Sequence, residues 1–154
     1  MENPTHFPPL SLCHSSPPDR FEAQVNGKAF ISTRLSAWAC LRTELEGSRS
    51  YKIWKIHAVG KVAGRRTVFG LFMDQTLPLG TYDLAHDARL TVVYHLTPKR
   101  HAQVFHSRDF QQGTLTLLDG NGDTGRLRGT FEFAVPAIGF GVSGGVFDLV
   151  CRSE

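Results

Sequence analysis

Short runs in which apolar and polar residues alternate recur from Phe21 to Val150, each closed by a turn built from Gly, Asn, Asp or Pro. A period of two sends neighbouring side chains to opposite faces of a strand, so a chain written this way is confined to β structure with one face turned inward. The firmest local signal is Phe21-Glu22-Ala23-Gln24-Val25 followed by Asn26-Gly27 and then Lys28-Ala29-Phe30-Ile31. Asn-Gly between alternating runs predicts a two-residue hairpin, because both residues tolerate positive φ.

The pattern continues with Trp54, Ile56 and Ala58 set against Lys55 and His57. Gly60 to Gly64 predicts a turn into Thr67–Met73, whose two apolar faces suit a strand covered on both sides or bordering a cavity. Thr81–Leu84, Leu90–Leu96, Ala102–His106, Thr114–Leu118 and Arg126–Ala134 follow, and Val146–Val150 reads as the last strand. Gly129 interrupts its run as at a bulge, and Gly139 to Gly145 reads as a flexible connection. Arg34 to Glu46 is ambiguous: Leu35, Trp38, Leu41 and Leu45 have helical spacing, whereas Ala37, Ala39 and Leu41 alternate, and strand is preferred over Trp38–Leu45. About nine or ten short strands at regular spacing predict an all-β domain, either an antiparallel sandwich or a closed barrel.

At 154 residues the chain matches one domain, able to bury roughly 70% of the surface its unfolded form exposes. Its 41% hydrophobic and 20% charged residues exclude wholesale disorder, and eleven phenylalanines supply a core. Residues 1–19 carry Pro4, Pro8, Pro9, Pro17 and Pro18 and read as an extended arm, leaving 20–154 as the single folded domain. The first twenty residues hold neither a basic start nor an apolar run, so a cytoplasmic protein is expected. The cell envelope is the alternative, since Leu10-Ser11-Leu12-Cys13 faintly resembles a lipoprotein box, with Leu12 where a small residue belongs. No run approaches the ~20 apolar residues of a membrane span. Cys13, Cys40 and Cys151 form no disulfide framework.

Five phrases, Phe21 to Phe30, Gly80-Thr-Tyr-Asp-Leu84, Gly113-Thr-Leu-Thr-Leu117, Gly129-Thr-Phe-Glu-Phe133 and Gly145-Val-Phe-Asp-Leu149, occur in an order that resembles a family of uncharacterised bacterial all-β domains typified by small Bacteroidetes lipoproteins. The resemblance spans roughly residues 20–150 and implies an all-β fold without assigning a chemistry. The chain departs from that family in lacking a lipoprotein signal.

The formal charge of +3 is mildly basic, but Lys and Arg are scattered along the sequence, and no nucleic-acid partner is expected. The densest spots, Arg65-Arg66 and Lys99-Arg100-His101, fall in predicted turns. Asp119-x-Asn121-x-Asp123 has the alternate oxygens of a calcium loop. Thr124 and Thr130 replace the Gly and Glu that an EF-hand needs, and a polar hairpin turn explains the same residues. His86, His95, His101 and His106 crowd one region, where a one-residue change of register decides whether His95 and His106 share a face. Cys40 beside Trp38 reads as a core residue, no nucleophile elbow is present, and neither an enzyme nor a cofactor is expected. The reading is a non-enzymatic interaction protein, of inhibitor or immunity type, meeting a protein partner through Lys99, Arg100, His101 and Phe140. The alternative is a carrier of a small apolar ligand whose barrel cavity is lined by Trp54, Phe69, Phe72, Tyr94 and Phe105.

Overall fold

A computed structural model describes residues 18–42, 51–97, 103–120 and 122–153. The arm up to residue 17, the Lys99-Arg100-His101 turn and Asn121 lie outside the described residues. The described chain is mostly strand, with two short 3-10 helices (Ser107–Asp109 and Pro136–Ile138): β1 (Arg20–Val25), β2 (Lys28–Arg42), β3 (Tyr51–Val62), β4 (Arg65–Asp74), β5 (Gly80–Asp83), β6 (Leu90–Leu96), β7 (Gln103–His106), β8 (Gln112–Gly120), β9 (Arg126–Val135), β10 (Phe140–Val150) and the short β11 (Arg152–Ser153). None of its helices is long and apolar enough to cross a membrane.

The strands form one sheet in the order β5-β8-β9-β10-β1-β2-β3-β4-β6-β7. Every neighbouring pair is antiparallel, and β11 adds a parallel partner beside β2. The sheet curls strongly. Phe131 on β9 and Phe69 on β4 are five strand steps apart in that order, about 24 Å if the sheet were flat, yet their ring centres are 5.9 Å apart. Phe105 on β7 and Phe140 on β10 stack at 4.7 Å from still farther apart in the order. The architecture is thus a curled half-barrel, a single all-β sheet whose concave side holds the core.

Alternation explains which side faces in. On β1, Phe21, Ala23 and Val25 are buried while Arg20, Glu22 and Gln24 are exposed. Asn26 and Gly27 take φ of 50° and 77°, the paired positive angles that the hairpin requires. The β3–β4 hairpin has the same geometry with Ala63 at φ 49° and Gly64 at 77°, so a non-glycine residue occupies the left-handed region there.

Three local expectations change. The ambiguous stretch from Arg34 is strand as far as Arg42, where the described residues stop, and it belongs to a longer strand, β2, that starts at the Asn-Gly hairpin. Gly129 is in register, opposite Phe147 and Leu117; the bulge lies on the neighbouring strand, between Leu117 and Asp119. Glycine is needed because a Cβ would come within 2.4 Å of the Phe147 ring and 2.5 Å of the Thr116 carbonyl oxygen. The glycine-rich segment is part of β10 rather than a loose connection, with a register shift between Val142 and Gly145.

Candidate functional site

The interior is filled by rings. Phe69 is fully buried and meets Phe21, Phe30, Tyr94, Phe131 and Phe133 with centroids 5.0–6.5 Å apart. Tyr94, 1% exposed, packs on Phe105 and Phe140. Burial pushes its phenol pKa up, opposed by a hydrogen bond with the buried Thr67 side chain. Trp54 is buried in the same core. Four of the five residues expected to line a ligand cavity therefore share the inward face as packing partners, and Phe72 is on the opposite face. On β4 the inward positions are Phe69, Leu71 and Met73, so alternation sends Phe72 outward, beneath the Lys55 ammonium. Phe140, expected at a partner surface, is half-buried and folded back into the ring stack.

Three open clefts mark the outside. One of about 500 Å³ runs over β8, β9 and β10 beside the first hairpin, walled by Asn26, Gln112, Thr114, Glu132 and Ser143. Its rim is tied by Gly141 N–H donating to Asn26 Oδ1 at 2.8 Å. A second, about 530 Å³, lies at the end of the half-barrel near Cys40, Lys52, Trp54, Asp123 and Cys151. Burial pushes the Cys151 thiol up to about 12, so it carries no thiolate at neutral pH. The third, about 400 Å³, includes His86, Asp87, His106 and Arg108. His86 Nδ1 is already 2.9 Å from Asp83 Oδ2, a hydrogen bond that holds the Asp83 carboxyl below its usual range.

Of the histidines, His95 and His106 do share the outward face, since Val93 pairs with His106 and His95 with Val104. Among the described residues no three His, Cys, Asp or Glu side chains gather within reach of one metal ion. Asp119 faces Arg128 across the strand pair, and Asp123 lines the second cleft.

The outward face of β2, β3 and β4 has a composition that the linear sequence conceals. Cross-strand register sets Lys61 opposite Arg66. The next row joins Arg34, Val59, Val68 and His95, the next Ser36, His57, Gly70 and Val93, and the next Trp38, Lys55, Phe72 and Thr91. Lys55 Nζ stands 5.0 Å from the Trp38 ring centre and 5.6 Å from that of Phe72. His57 is held below its ordinary pKa by burial and then by the charges of Lys55, Arg66 and Arg34. The one acid among the described residues of these strands is Asp74, at the far end, where Oδ1 accepts from the Thr76 N–H and hydroxyl at 2.8 and 2.7 Å.

The signal for this face was present in the sequence only as a parity: Lys55, His57 and Lys61 share the odd positions of β3. Their company on β2 and β4 depends on a bulge between Ser32 and Arg34, which shifts Arg34 into register with Val59. No family model, no curated protein and no solved structure matches the chain.

Proposed function

We propose that this chain is a non-enzymatic binding protein, of inhibitor or immunity type, that engages a protein partner from the outside of its sheet. The filled interior carries the reading: with Phe69 packed on Tyr94, Phe131 and Phe133, recognition falls to the outer surface and the edges. β5 and β7 end the strand order, each paired on one side. Natural edges are usually guarded by charge or proline. β7, Gln103-Val104-Phe105-His106, has no Lys, Arg, Asp, Glu or Pro, and its Val104 is 48% exposed. An edge whose own four residues carry neither charge nor proline suits a partner strand that continues the sheet through main-chain hydrogen bonds.

Native mass spectrometry of the protein isolated from its own host tests the proposal. The expected result is a complex with a second polypeptide that a Val104→Pro variant, still folded by circular dichroism, no longer retains. A monomer carrying a small apolar molecule would overturn the reading in favour of a carrier.

A further inference from the structure

We propose that the outward face of β2, β3 and β4 binds single-stranded nucleic acid, with phosphates along its row of cations and bases against Trp38 and Phe72. This goes beyond a protein partner at the β7 edge and uses a different surface. Its first support is uncompensated charge. Like charges directly opposite on neighbouring strands destabilise a sheet, and Lys61 faces Arg66 in that way. The same fold pairs its charges elsewhere: Arg126 Nη2 reaches Asp148 Oδ2 at 3.2 Å, and Arg20 holds Glu22 at 2.7 Å. Among the described residues this face sets several cations against the single acid Asp74 at its far end, and such an excess has an affinity for polyanions built into its surface.

Spacing and shape select the kind of polyanion. Outward positions on a strand recur every second residue, about 7 Å apart, a spacing comparable to the phosphate repeat of an extended single strand. Going along β3, these positions present Lys61, then Val59 with Arg34 beside it, then His57, then Lys55. At the Lys55 end the half-buried Trp38 and Phe72 flank the ammonium, and aromatic rings beside a cationic track are the elements that bind unpaired bases without regard to sequence. Between them Gly70 leaves the His57 row low, and the Phe72 ring leans over it, 3.1 Å from where a Cβ would stand. An acidic protein surface would use the cations but has no need of the aromatic rings beside them.

Fluorescence anisotropy with a labelled oligothymidylate of about 15 nucleotides tests this directly, with poly-glutamate of similar length as competitor. The expected outcome is saturable binding that weakens with salt at a log–log slope of about −3, as four or so phosphate contacts imply. Lys55→Glu and Arg66→Glu should each weaken binding about tenfold and flatten that slope. Arg128→Glu, the same charge change on the opposite half of the sheet, should leave it within about twofold. Trp38 fluorescence should be quenched on binding and the buried Trp54 should not, which registers stacking independently of charge. Absence of binding, equal weakening by Arg128→Glu, or displacement of the oligonucleotide by equimolar poly-glutamate would each overturn the proposal, the last assigning the face to an acidic protein. None of these results depends on the β7 edge.

Discussion

The outer surface of this half-barrel has two regions built on the same backbone geometry with opposite treatment of charge. Over β8, β9, β10 and β1, cations are answered by acids: Arg126 with Asp148, Arg20 with Glu22, and Arg128 opposite both Asp119 and Asp148. Thr114, Thr116 and Thr130 lie among them, and Thr81 on the adjoining β5 shares a hydroxyl hydrogen bond with Thr116 at 2.9 Å. Over β2, β3 and β4, Lys61 faces Arg66, and Lys55 lies between Trp38 and Phe72. The first region has the balanced charge that a solvated sheet needs. The second sacrifices electrostatic stability, and a surface that does so while a balanced one lies on the same sheet is where function is to be sought.

Both regions rest on one ring stack, so the largest effect should be shared. Phe69→Ala should cost about 3–5 kcal/mol in urea unfolding, with hydrogen exchange accelerating on both halves. Loosening of β4 and β6 alone would mean that the halves are independent units. Gly129→Ala strikes the balanced half, where the Phe147 ring and the Thr116 carbonyl leave no room for a methyl; a loss of about 1–3 kcal/mol is expected, as for other overpacked sites.

The two hairpins sharpen the comparison further. Asn26-Gly27 suits its positive φ, whereas Ala63 does not, so Ala63→Gly should stabilise by about 1 kcal/mol and raise Tm. A gain of about 0.2–1 kcal/mol is expected from Lys61→Glu, which places an acid opposite Arg66, while Asp148→Asn on the balanced half should lose a similar or smaller amount. Equal signs for these two substitutions would remove the electrostatic distinction.

The smallest effect concerns pH. His57 binds its proton less readily folded than unfolded, because of burial and the cations around it. Above the ordinary value of 6.5 both states are neutral and His57 contributes nothing; as pH falls below it, the unfolded chain takes up the proton first and stability drops. His57→Gln should flatten that part of the stability profile, measured by thermal melts between pH 7 and pH 5.

How much of this was legible beforehand follows from which signals are local. Alternation and the Asn26-Gly27 turn act over a few residues, so the all-β class and the first hairpin could be read directly. β2 was harder because its outward positions include Trp38 and Cys40, which blur the apolar–polar contrast and mimic a helix face. Gly129 and Gly145 looked like interruptions, yet each lies where a ring or carbonyl of a neighbouring strand leaves no space for Cβ, a cause invisible along the chain. Phe72 looked like a cavity residue because both sides of β4 are apolar, and its outward direction follows from parity with the buried Phe69. The cationic face was the least legible, since its members are distant in sequence and meet only through the register of three strands.

The most direct test of the account is a map of backbone amide shifts as the protein is titrated with oligothymidylate. Changes concentrated at Arg34, Lys55, His57 and Arg66, with β8, β9 and β10 unaffected, are the predicted result. Changes centred on the balanced half, or spread evenly over both, would contradict the distinction between the two faces.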